Sequence, residues 1–191
     1  MGISSAWVAV SIVSVSSTFV AVALLNQEVG FSAVLNGLVI GGAVCGIWAV
    51  KPLVRRIGKK QTLQLAMVWS GISLLLVAVT SMWFDLSISL WLILLPLCSV
   101  GLGPFFILPN AMLPDAIEED GERGKSNQAV YFGSRGLFAE IAVATGILLV
   151  GLLLTAGKSA DSPLGVQLSL LAASLFALGS AAFFTAYPIR E

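Results

Sequence analysis

The sequence predicts an all-α membrane protein of six transmembrane helices with both termini cytoplasmic, and three observations carry that prediction. First, the chain of 191 residues is 58% hydrophobic and only 10% charged, with a mean hydropathy of +0.98, whereas about a quarter of the residues of a soluble domain are charged. Second, the apolar residues gather into six runs, each supplying the roughly 20 residues that a helix rising 1.5 Å per residue needs to cross a bilayer. Third, Lys51, Arg55, Arg56, Lys59, Lys60, Arg123, Lys125 and Arg190 fall on one side of a six-helix count, with Lys158 on the other. Lys and Arg near helix ends resist translocation, so the basic side is the cytoplasmic one.

The predicted helices lie near 3–25, 32–54, 62–84, 90–113, 128–155 and 164–187, and 1–191 reads as a single transmembrane domain. The first begins close to Met1, without the basic n-region and small-residue cleavage pattern of a signal peptide; Ala6 also breaks the myristoylation pattern. The second carries Gly37, Gly41, Gly42 and Gly46, two overlapping Gly-xxx-Gly spacings that let a neighbouring backbone approach. Tight packing is the plainer reading, and a moving transporter interface would use the same residues. The residues from Lys51 to Lys60 form a basic turn, with Gly58 where the chain reverses. Trp83 and Trp91 flank the following loop on the opposite side, where an interfacial aromatic belt belongs, although each is equally suited to packing against lipid. The fourth helix contains Gly101, Gly103, Pro104, Pro109 and Pro114, so it should bend at several points: each proline removes a backbone donor and crowds the preceding turn. Irregular backbone at that depth has to be lined by protein or water, which makes Asn110 a candidate for a cavity wall or an interhelical hydrogen bond.

Composition excludes several chemistries. There is no histidine, so a Ser-His dyad within the membrane cannot be assembled, and Pro104 stands where an aspartyl Gly-x-Gly-Asp motif would need its carboxylate. Cys45 and Cys98 each lie in an apolar run and read as buried small hydrophobes, not as a disulfide or metal site. A net charge of zero without a basic tail gives no sign of nucleic acid. No metal cluster or nucleophile motif is present, so an enzyme is the weakest reading.

The polar content concentrates between Pro109 and Glu140, which holds six of the ten acidic residues and three of the ten basic ones. Asp115, Glu118, Glu119, Asp120 and Glu122 are too dense for the bilayer and mark the cytoplasmic end of the fourth helix. Such a run is by default a solvated loop. Alternatively it pairs with Arg55, Arg56, Lys59 and Lys60 on the same face to close a gate, each exposed pair contributing about 0–1 kcal/mol. Glu140 lies roughly 18 Å into the fifth helix, near mid-membrane, where an isolated charge costs about 2.5–3.5 kcal/mol. A carboxylate there binds a proton or cation, or makes a structural hydrogen bond. Arg135 is the nearest cation in sequence, but five residues turn a helix by about 140°, so the two do not share a face.

At this point the chain resembles a known family. Ala111-Met112-Leu113-Pro114-Asp115-Ala116-Ile117-Glu118-Glu119-Asp120, a short loop, then Gln128-Ala129-Val130-Tyr131-Phe132-Gly133 is similar to the segment between the tenth and eleventh helices of the glycoside-pentoside-hexuronide cation symporters and their lysolipid-carrying relatives. These belong to the major facilitator superfamily, whose basic loop between the second and third helices of each half resembles residues 51–60. The resemblance spans the chain as the C-terminal six-helix half of a twelve-helix fold. It implies a secondary active transporter that moves a small organic solute, such as a sugar or an amphipathic molecule, by alternating access, with H⁺ or Na⁺ as coupling ion and no other cofactor. Glu140 and Asp115 are then the ion-coupling candidates, and Asn110, Gln128, Tyr131 and Arg135 line the solute route. Arg55, Arg56, Lys59 and Lys60 with Glu118, Glu119 and Asp120 form the cytoplasmic gate. Gln128 stands where many members carry glutamate. Glu140 stands where they carry a lysine, an inversion that would shift coupling toward a proton or abolish it.

The expected setting is the cell membrane, with the lipid bilayer, a small-molecule solute and a second six-helix half as partners. Family cavities form at the midplane between two halves, so the chain is a fragment, one of two subunits, or a half that pairs with its own copy. A transport-incompetent assembly module is the alternative.

Overall fold

The computed structural model describes residues 2–84, 87–119, 121, 127–159 and 162–185; for Asp115, Ala116 and Glu119 it describes the backbone alone. The described residues are almost entirely helical, as an apolar chain must be where no water is present to satisfy backbone groups. Helix α1 is Gly2–Phe19, continued by one π-helical turn, Val20–Leu24. That wider turn shows in the bond from Leu25 N–H to the Val20 carbonyl, 3.0 Å, and the helix ends as Asn26 takes a left-handed φ of 53°.

The run Phe31–Trp83 is helical for 53 residues. At 1.5 Å per residue it would measure about 80 Å, more than twice the hydrocarbon thickness, so it cannot be one crossing. It is broken at Gly58, where φ 81° and ψ 168° occupy a region open essentially to glycine alone. We therefore describe two helices, α2 (31–57) and α3 (59–83). The expected basic turn is thus a single residue: Arg55, Arg56, Lys59 and Lys60 stand on helix, because lysine and arginine are good helix formers and only Gly58 has to leave the helical region. Thr62 Oγ1 donates to the Gly58 carbonyl at 2.6 Å, closing the first turn of α3.

The fourth crossing comprises α4, Ile88–Ser99, and α5, Leu102–Glu119. The sequence led us to expect bending spread over the prolines, but the break is confined to Val100 and Gly101. Pro96, Pro109 and Pro114 all lie inside helix. Pro104 explains the position: its missing N–H is the donor that would have bonded the carbonyl four residues back, that of Val100. Helix α6 is Gln128–Leu153, finished by a 3₁₀ turn, Leu154–Ala156, and α7 is Leu164–Thr185. Gly157 at φ 144° turns the chain between them.

Packing follows the small residues. A β-carbon on Gly42 or Gly46 would collide with the carbonyls of Pro96 and Val100, so this half of the glycine motif seats α2 directly against the fourth crossing. Gly101 lies on the Ala66 carbonyl and Ser70 of α3, and Gly71 on Leu178 of α7. Gly146 of α6 packs on Val8 and Ser11 of α1. Hydrogen bonds between helices join the same surfaces: Ser5 Oγ to the Phe176 carbonyl at 2.8 Å, Ser180 Oγ to that of Gly2 at 2.8 Å, Gln167 Nε2 to that of Ser81 at 2.7 Å, and Ser70 Oγ to that of Cys98 at 3.0 Å. Helix α7 is thereby held between α1 and α3, and α6 hangs on α1 at the edge.

Two apolar clusters fill the interior. One contains Ile12, Leu74, Leu95, Val150, Val166 and Leu170, the other Ala6, Leu63, Met67, Phe105, Leu108 and Phe184. Trp91 is 1% exposed and belongs to the first cluster, whereas Trp83 is 79% exposed. Of the two tryptophans expected to flank the loop, Trp91 thus turns into the bundle, although Ile88, Ser89 and Leu90 before it on α4 are exposed. Cys98 is buried as expected, but Cys45 is exposed.

Candidate functional site

Helix α6 buries one stripe, through Ala142, Gly146 and Val150. At 100° per residue, Arg135 falls within about 20° of Ala142 and so points the same way. Arg135 is half-buried, and its Nη1 donates to Asn110 Oδ1 on α5. Asn110 Nδ2 in turn donates to the Phe106 carbonyl at 2.9 Å. Asn110 remains exposed while making both bonds, so the two roles it was given, wall and interhelical bond, are compatible. Arg135 Nε is buried without a hydrogen-bond partner.

One turn before Asn110 on α5 stands an aromatic group that the sequence reading missed. Trp7 of α1 meets Phe105 edge-on, with centroids 5.2 Å apart at 72°, and Phe106 at 6.0 Å and 71°. Such edge-to-face pairs contribute about 0.5–1.5 kcal/mol beyond their burial. Trp7 Nε1 is also buried without an acceptor. Trp7, Phe106, Asn110 and Arg135 thus link α1, α5 and α6 in one line. Its signal in the sequence was faint, since a tryptophan in an apolar helix is ordinary packing. Asn36, which hydrogen-bonds Ser17 at 2.9 Å, and Gln167 were missed as well; a lone amide inside an apolar run was the available clue.

The other expected site residues divide by location. Tyr131 lies one turn before Arg135, half-buried and with a partner of its own, whereas Gln128 is exposed at the first residue of α6. Glu140 lies about 200° around the helix from Ala142, on the outer face of α6. It is exposed, and among the described residues it has no hydrogen-bond or ion-pair partner. The structure therefore does not bring Glu140 together with Arg135. At the basic end, Lys59 Nζ donates to the Ala111 carbonyl at 3.4 Å, which sets the Gly58 break against the last turns of α5. Arg55, Arg56 and Glu118 are exposed there, and Lys60 is half-buried with partners. The side chains of Asp115 and Glu119, and the whole of Asp120, lie outside the described residues.

Neither a curated protein nor a solved structure matches this chain. A family model does: the one described as MFS/sugar transport protein matches residues 1–191. With apolar helices long enough for repeated crossings and a glycine-seated bundle, the chain is a multi-pass integral membrane protein, and it belongs to the MFS/sugar transport protein family of the major facilitator superfamily.

Proposed function

We propose that the chain is one six-helix half of a secondary active transporter that moves a small organic solute, a sugar or an amphipathic molecule, by alternating access in the cell membrane. The observation that carries this reading is the Asn110–Arg135 pair, a polar bridge between two apolar helices that is open on one side and retains a buried, unpartnered Nε. A solute bearing hydroxyl or carboxylate oxygens supplies the acceptors that Arg135 lacks, and Trp7 with Phe106 offers an aromatic surface beside it. Of the two symporter groups that the sequence resembles, either is compatible with these donors. Gln128 and Tyr131 extend the route toward the basic end.

Glu140 is the proposed ion-coupling residue, binding H⁺ or Na⁺, with Asp115 as the second carboxylate. An exposed glutamate near mid-membrane is tolerable only when it is protonated, paired or hydrated, and the outer face of α6 is where a second half would cover it. That half is a separate chain or a second copy. Arg55, Arg56, Lys59 and Lys60 with Glu118, Glu119 and Asp120 form the proposed cytoplasmic gate, closing on α5 through contacts like that of Lys59.

The test is solute uptake into vesicles containing the protein, with and without an imposed proton or sodium gradient. Gradient-driven uptake is expected, falling by at least tenfold in Arg135→Ala. Wild-type gradient dependence in Glu140→Gln would end the coupling role. The alternative, an assembly module without transport, requires that no gradient drives uptake under any condition.

A further inference from the structure

A groove of about 680 Å³ lies between the basic end of α3 and the last turns of α7, away from the Asn110–Arg135 bridge. This is within the roughly 300–1,000 Å³ usual for small-molecule sites. Ile57, Gln61, Gln64 and Thr185 line its mouth; Leu65, Val68, Leu178, Ala181 and Ala182 line its depth. Gln61 is the third residue of α3 and Thr185 the last of α7, while Val68 and Leu178 lie seven residues further in, about 10 Å along the helix axes. The groove thus runs from amide and hydroxyl groups at the helix ends to pure hydrocarbon below. Gln61, Leu65, Val68, Ala182 and Thr185 are exposed, so the groove is open along its length toward the surroundings of the bundle.

Charge marks one end. Ile57 of the mouth is preceded by Arg55 and Arg56, both exposed. Lys60 lies one turn before Gln64 on the same stripe of α3. A ligand suited to this groove needs an anionic head, a polar linkage at the depth of Gln61 and Thr185, and a hydrocarbon tail beside Leu65, Val68 and Leu178. We propose that the α3–α7 groove is a binding site for an anionic glycerophospholipid of the leaflet on the basic side. Its headgroup lies by Arg56, its ester region by Gln61 and Thr185, and one acyl chain occupies the groove. Gly71 keeps α3 against Leu178 at the floor, so occupancy would brace the α3–α7 contact.

Purified full-length protein in mild detergent, mixed with equal amounts of phosphatidylglycerol and phosphatidylcholine, can be read by native mass spectrometry. Phosphatidylglycerol adducts should exceed phosphatidylcholine adducts about fivefold, the factor set by ~1 kcal/mol for one basic residue near an anionic surface. Arg56→Gln should bring the two toward parity, and Ala182→Trp, which fills the groove from an exposed position, should remove both. Leu65→Trp serves as the second groove-filling variant if Ala182→Trp does not fold. Equal adducts in wild type and a folded groove-filled variant would overturn the proposal. So would equal binding of the two lipids, or lipid binding seen only after residues 186–191 are deleted, which would make the chain's own tail the occupant.

Discussion

Asn110 and Arg135 are 25 positions apart, and neither is unusual alone; their bond is what joins them in the candidate site. Hydrogen bonds between membrane helices average about 0.6 kcal/mol and reach about 1.7, so the pair is a modest tie in stability terms and a larger feature for recognition. A double-mutant cycle with Asn110→Ala and Arg135→Ala should give a coupling of about 0.5–1.5 kcal/mol in denaturation by strong detergent. Strictly additive losses would show that the two side chains do not interact. The sequence made both residues candidates, because polar groups inside apolar runs are costly and need a reason. It could not pair them, since the pairing depends on how α5 and α6 are rotated. Glu140 shows the converse: depth follows from counting residues, but which way the carboxylate faces is set by the stripe that α6 buries against α1.

At the scale of elements, glycine placement discriminates between positions that look alike. Gly37 and Gly41 have open space where a β-carbon would go, whereas Gly42 and Gly46 lie against carbonyls of the fourth crossing. Gly46→Val should therefore destabilise the chain by about 1–3 kcal/mol or more through overpacking, while Gly37→Val should cost the isolated chain under about 0.5 kcal/mol. Unfolding midpoints in detergent measure both, and equal costs would mean that the seating described here is wrong. Gly58→Ala should likewise cost about 1–3 kcal/mol, because the α2–α3 break requires a backbone conformation that alanine scarcely enters. The two breaks were legible to different degrees. Gly58 stood out as the glycine of a basic turn, although the turn proved to be one residue wide. For the fourth crossing, the prolines pointed to distributed bending, whereas the helix is interrupted only at Val100 and Gly101, and Pro96, Pro109 and Pro114 stand inside helix.

For the whole molecule, the asymmetry of burial is the main feature. Helix α1 is the most enclosed of the crossings, whereas α6 and the Gly37–Trp48 face of α2 are exposed. Trp48, 82% exposed, and the unpartnered Glu140 both lie on such faces. If a second half covers them, Cys45 on the open side of α2 should become less reactive toward a membrane-permeant thiol reagent in the assembled protein than in the dispersed chain, by several-fold in rate. Unchanged labelling would place the partner elsewhere. The mass of the particle in mild detergent gives the complementary reading, with a lone 19.9 kDa chain arguing against assembly.

The sequence by itself determined that this is a membrane protein, where its apolar helices lie and which polar residues fall inside them, because hydropathy and charge are local and the bilayer acts on them directly. Tertiary structure decided which glycines seat helices, that Trp91 is core and Cys45 surface, and that Arg135 meets Asn110 while Glu140 faces away. Those outcomes depend on the rotation of each helix about its axis. In a chain apolar on almost every side, no periodicity records that rotation; only close packing of backbones against one another fixes it.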